Sequence, residues 1–163
     1  IIRGDTLLGV EALDLPPLAF STKALWFSPA DRTGAEIQCA GRDPDGGLHG
    51  AEHAFIAMMP LYVLCDRWDI GGVSIPMHKE AEKPVVFIYD GYEGGIGLSE
   101  RAYHLFEEIA AHALRLVEEC PCETGCPSCI FSPKCGNDNQ PLDKRATMTI
   151  LKSLCLSGHP DGG

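Results

Sequence analysis

Five of the chain's eight cysteines crowd into one short stretch, Cys120-Pro-Cys122-Glu-Thr-Gly-Cys126-Pro-Ser-Cys129, then Ile-Phe-Ser-Pro-Lys-Cys135. At 163 residues and 45% hydrophobic, the chain can bury a core without covalent staples. Cysteines grouped this tightly in a core-forming chain point to a metal more than to a disulfide framework. Cys126 and Cys129 form a C-x-x-C pair, which lets two thiolates grip one ion, and Gly125 and Pro127 favour the turn it needs. Cys122, Cys126, Cys129 and Cys135 are the expected ligands, with Cys120 as the rival to Cys122, because C-x-C is the less usual spacing on one zinc. Four thiolates suit Zn²⁺ in a closed, structural site. An iron–sulfur cluster is the softer alternative, and disulfides or free thiols remain the non-metal reading. Cys39, Cys65 and Cys155 stand alone and read as core residues.

The rest of the chain reads as an α/β (α+β) fold, a small mixed sheet packed with three or four helices, with the knuckle between the last two helices. Residues 1–17 read as extended or irregular. Strands are expected at Ala19 to Phe27, Val73 to Ile75 and Val85 to Tyr89, and a short one at Glu36 to Cys39 within a proline- and glycine-rich loop. A helix begins near Leu48, with Ala51, Ala54, Phe55, Met58 and Tyr62 on one face, and Pro60 is expected to kink it or to begin a second short helix. The longest helix runs from Leu98 to Glu118 on a stripe that includes Ala102, Phe106, Ile109, Ala113 and Val117. A last helix spans Leu142 to Leu156. Residues 1–118 then form the core, and 119–163 the knuckle and final helix of the same domain. The opening on Ile1 and the tail SGHPDGG, read as frayed, suggest a piece of a longer protein.

Two constellations invite a chemical reading. The turn Asp90-Gly-Tyr-Glu-Gly-Gly-Ile-Gly97 sits between a strand and a helix, where phosphate loops sit. It lacks Gly-Lys-Ser/Thr, and its acids repel phosphate, so a structural turn is expected. Glu52, His53, Asp66, Asp69 and Asp90 supply raw material for a metal-dependent hydrolase, although Asp66 and Asp69 equally suit turn caps and His53 a hydrogen-bonded helix position. The net charge of −10 argues against a broad duplex-DNA surface. Lys134, Lys144, Arg145 and Lys152 nevertheless gather after the knuckle, as a weak nucleic-acid-binding candidate or a plain solvated helix face. With no export signal and no apolar run long enough to span a bilayer, cytoplasm is the default location.

The run CPCETGCPSCIFSPKCGNDNQPLDK, from Cys120 to Lys144, resembles the C-terminal zinc-binding domain of MrfA-type DEAD/DEAH-box helicases, shared with fungal RecQ-related helicases. GLHGAEHAFIAMMPLYVLCDRWDIGG (Gly47 to Gly72) and VFIYDGYEGGIGLSERAY (Val86 to Tyr103) are similar to that domain's other signature stretches. The resemblance implies one zinc per chain and two motor lobes in the same parent polypeptide. It implies an ATP-dependent 3′-to-5′ DNA translocase of the repair type, with single-stranded DNA as a partner. Related domains in anti-phage defence proteins make a stand-alone interaction module the alternative. No Walker A or DEAH-type motif is present, so the chain itself is expected to be no enzyme, and the resemblance transfers no catalytic residue.

Overall fold

The structure, a computed structural model, describes residues 2–3, 6–7 and 16–157. Most of the 1–17 segment and the tail after residue 157 lie outside the described residues. The elements run β1 (Ile2–Arg3), β2 (Thr6–Leu7), β3 (Ala24–Phe27), α1 (Thr33–Cys39), α2 (Pro44–Val63), β4 (Ile70–His78), β5 (Lys83–Asp90), α3 (Leu98–His104), α4 (Phe106–Glu119) and α5 (Lys144–Ser157), with a 3-10 turn at Arg67–Asp69 before β4. The α/β fold is as expected, with five helices among the described residues where three or four were expected. The sheet proves antiparallel throughout, in the order β3-β5-β4, because β4 and β5 form a hairpin and β3 joins the free edge of β5. The β1–β2 pair stands as a separate antiparallel pair.

Helix α2 is the centre of the molecule, packing against β4 and β5 as well as α4 and α5. Every residue from Gly46 to Phe55 is buried. A helix wrapped on all sides shows only a weak amphipathic pattern, and the five-residue stripe seen in sequence is part of a wider buried surface. Asp43 caps its start by accepting the Asp45 N–H, and Pro44 occupies the first turn, where a missing N–H costs nothing. Pro60 does not end the helix, which continues to Val63 and closes on Leu64 in the left-handed region. Lying one turn from the end, it removes a single backbone bond.

The core joins sheet and helices through Phe27, Phe55 and Phe106, whose ring centroids lie 5.2–5.4 Å apart. The helix expected over 98–118 breaks at Leu105 (φ −112°), immediately before Phe106. The stripe runs through both halves, so periodicity gave no sign of the break. The expected strand at Glu36 to Cys39 is instead helix α1, whose buried Thr33 and Ile37 sit one turn apart. In β4 the pairing with β5 slips between Ile75 and His78, around Pro76, which has no N–H to donate. Cys39 and Cys155 are exposed rather than in the core, whereas half-buried Cys65 packs against it.

Helices α2 and α5 approach closely because the α2 face has no side chains there. A Cβ on Gly47 would lie 2.6 Å from Ala146 Cβ and 2.9 Å from the Ala146 carbonyl carbon, and one on Gly50 would run into Thr147 Oγ1. Thr147 Oγ1 donates to the Asp143 carbonyl at 2.8 Å and lies 3.3 Å from the Gly47 carbonyl. In an ordinary helix Gly→Ala stabilises by up to about 1 kcal/mol. Here Gly47→Ala is expected to destabilise by about 1–3 kcal/mol, because backbone must move to admit the methyl. Urea unfolding monitored by circular dichroism gives the sign directly.

Candidate metal centre

The segment between α4 and α5 has no helix or strand, and its geometry is set by cysteines, glycines and two anchoring side chains. Helix α4 ends on Cys120 in an extended conformation (φ −69°, ψ 125°). In extended backbone, residues two apart face the same side, so Cys120 and Cys122 present both sulfurs together, 3.5 Å apart. Gly125 then turns through φ +124°, where a Cβ would collide with Ile130 and Phe131. The Cys126 carbonyl accepts the N–H groups of Cys129 (3.0 Å) and Phe131 (3.1 Å), closing the C-x-x-C loop.

The four sulfurs of Cys120, Cys122, Cys126 and Cys129 form one cluster. Cys120–Cys126 and Cys122–Cys129 are 3.5 Å apart and Cys126–Cys129 3.8 Å. Tetrahedral zinc with Zn–S near 2.3 Å requires S···S separations of about 3.8 Å, and the donor set is four thiolates. Backbone N–H from Ser128, then the Cys120 thiol, brings the Cys126 pKa down to about 7, whereas burial pushes Cys129 up to about 12.

Cys135, expected as the fourth ligand, lies outside this cluster, against His49 and His53. Sequence spacing favoured it because C-x-C is the less usual spacing on one zinc, but the extended backbone at Cys120 brings the sulfurs of Cys120 and Cys122 together. His49 and His53 are the residues that sequence reasoning underused. They sit four apart on α2, and the signal was their spacing around Glu52. His49 Nδ1 is 2.9 Å from the Pro141 carbonyl and His53 Nδ1 2.7 Å from the Ile130 carbonyl. Burial lowers the His53 pKa to about 4, outweighing the Ile130 carbonyl that favours the proton. Burial raises the Glu52 carboxyl, with a hydrogen bond from Ser74 acting against it.

The other acids of the hydrolase constellation are committed to backbone. Asp66 and Asp69 form a reciprocal cap on the 3-10 turn, and Tyr92 OH donates to Asp69 at 2.6 Å. Asp90 is fully buried and accepts four N–H groups, from Ile96, Gly97, Leu98 and Ser99 (2.7–3.1 Å). Burial would push its carboxyl up, but these donors, Ser99 first, hold it below its ordinary value. The glycine turn is therefore the structural device expected, with its own aspartate organising the start of α3.

The lysines fare differently from expectation. Lys144 is buried and its Nζ donates to the carbonyls of Cys120 and Cys122, both at 2.6 Å. Lys134 Nζ donates to the carbonyls of Arg67 and Ile70 and lies over the Trp68 ring. Lys152 pairs with Glu118 at 2.7 Å. An ammonium surrounded by carbonyl oxygens is spent on the fold, and of the four cations gathered from sequence Arg145 and the ion-paired Lys152 are exposed. Among the described residues no helix is long and apolar enough to cross a membrane. Lys144→Met keeps the stem but strips both carbonyls of their donor. It is expected to weaken zinc binding about 10–100-fold, as loss of an outer support does, read as competition against a chromophoric chelator.

Comparison with known proteins supplies the frame. The family model of the MrfA Zn-binding domain matches residues 51–130. An uncharacterized protein of Methanocaldococcus jannaschii is 40% identical over 110 residues, 66% of this chain and 98% of the relative. The uncharacterized ATP-dependent helicase YprA of Bacillus subtilis is 35% identical over 130 residues, 76% of this chain but 16% of the helicase. ATP-dependent helicase HRQ1 of Saccharomyces cerevisiae is 29% identical over 156 residues, 90% of this chain and 14% of the relative. The crystal structure of the helicase MrfA bound to DNA superposes with a TM-score of 0.65 at 30% identity, covering 86% of this chain and 18% of that one.

Proposed function

Because the chain belongs to the MrfA Zn-binding domain family, we propose that it is the zinc-binding accessory domain of an ATP-dependent DNA helicase of the repair type, bracing the motor lobes of its parent. It spans nearly all of the archaeal relative but about a sixth of the helicase YprA, and on this reading the motor would lie in sequence beyond this chain. The observation that carries the reading is the four-sulfur cluster at tetrahedral spacing, which would hold a zinc through Cys120, Cys122, Cys126 and Cys129. Zinc there would have no open coordination position, and its contribution is to fix the 120–143 segment between α4 and α5.

Exposed Leu61 and Phe131, which line a pocket with Pro127 and Cys129 of the knuckle, suit a face covered by other parts of a larger polypeptide. Any contact with single-stranded DNA is then shared with the motor lobes. Lys134 and Lys144 are engaged internally, which leaves Arg145 as the domain's candidate contact.

Mass-spectrometric metal analysis tests the site. Cys126→Ser and Cys129→Ser are expected to lose one zinc equivalent each, and Cys39→Ser none. Full zinc retention in Cys126→Ser sinks the assignment. For the accessory role, the isolated chain is expected to bind a single-stranded oligonucleotide no better than non-specifically, with Kd above about 10⁻⁶ M at physiological salt. Nanomolar binding by the chain alone, or a coding sequence before Ile1 without motor motifs, would overturn it and favour the stand-alone module.

A further inference from the structure

We propose that the chain carries a second transition-metal site, built from His49 Nε2, His53 Nε2 and Cys135 Sγ, separate from the four-cysteine knuckle. The three residues place their ligand atoms within 4.8 Å of one another, and His49 Nε2 is 3.4 Å from Cys135 Sγ. For a tetrahedral zinc with Zn–N near 2.05 Å and Zn–S near 2.3 Å, the N···S separation is about 3.6 Å.

The orientation of each ligand is fixed from behind. A carbonyl oxygen only accepts hydrogen bonds. The contacts of His49 Nδ1 with Pro141 and His53 Nδ1 with Ile130 therefore place the ring proton on Nδ1 and leave the lone pair on Nε2. Backing of this kind is what orients metal-bound imidazoles. The histidines are one turn apart on α2, with ring centroids 4.3 Å apart, so both point the same way. On the other side, Cys135 Sγ receives the backbone N–H groups of Asn137 (3.4 Å) and Asn139 (3.3 Å). These two amide donors fix the position of the sulfur. The loop that aims them turns through positive φ at Asp138 and Asn139, and Asn139 Oδ1 accepts the Ser132 N–H at 2.7 Å.

A two-imidazole, one-thiolate set is borderline in softness and suits Zn²⁺ or Co²⁺ over Mg²⁺ or Ca²⁺. Both histidines are buried, yet the cluster lines a pocket of about 250 Å³ that also includes Glu52 and Ser74. The fourth position faces that pocket, where water or a small anionic donor completes the coordination. This proposal stands on its own residues and does not depend on the ligand set of the knuckle.

Metal analysis of the tag-free chain, purified without chelator, is expected to give two equivalents. Cys135→Ser and His49→Gln are each expected to reduce this to one while far-UV circular dichroism is unchanged, and Cys126→Ser removes the other. If Cys135→Ser retains every equivalent of the unsubstituted chain, the second site does not exist. Should the variants misfold, zinc-edge X-ray absorption on the unsubstituted chain decides. A mixed sulfur and imidazole shell supports the proposal, and a sulfur-only shell overturns it. A chain holding a single metal in mixed N/S coordination would uphold this site and refute the four-cysteine one.

Discussion

The close packing of α5 on α2 sets the position of everything that follows the long helices. Where Gly47 and Gly50 meet Ala146 and Thr147 no side chain intervenes. The two helix starts are also tied together. Asp143 accepts the N–H groups of Arg145 and Ala146 at the head of α5, and that of Asp43 just before α2. With α4 and α5 both fixed on α2, the segment joining them must fold back over the α2 surface. It does so with carbonyls bonded to His49 and His53 and with four sulfurs gathered above Lys144.

Much of this was legible in the chain. Val85 to Tyr89 lies inside β5, and Ala146, Ile150, Leu151 and Leu154 all face the core. Those segments carry strong periodicity and a single packing environment. The crowded cysteines pointed to a metal, and Cys122, Cys126 and Cys129 of the expected set do lie in one sulfur cluster. That Cys120 joins this cluster beside Cys122 while Cys135 lies apart was not legible, because it depends on the backbone path rather than on spacing. An extended C-x-C brings its sulfurs together, while the positive-φ turn at Asp138 and Asn139 carries Cys135 to the histidines. The break at Leu105 was equally hidden, since an interruption that leaves the apolar stripe in place alters no period.

The basic cluster shows a different limit. Lys134 and Lys144 sit in an acidic chain after a zinc knuckle, and composition alone reads them as surface charge. Both ammonium groups instead donate to backbone carbonyls, Lys134 to those of Arg67 and Ile70 and Lys144 to those of Cys120 and Cys122. A long flexible cation is a compact way to satisfy several carbonyls at once. Sequence shows where the charges are, but only the fold shows which oxygens they meet.

The burial of Lys144 beneath the knuckle has a consequence for the life of the protein in a cell. Its ammonium is held by the carbonyls of Cys120 and Cys122, so the arrangement of those two residues and the seating of α5 are coupled. A chain deprived of zinc would loosen the knuckle and α5 together. That uncovers the glycine face of α2 and the apolar side chains Ile150 and Leu151 that pack in the core. Such a surface is what chaperones and proteases recognise, so metal supply would act as a checkpoint on how much of the protein persists.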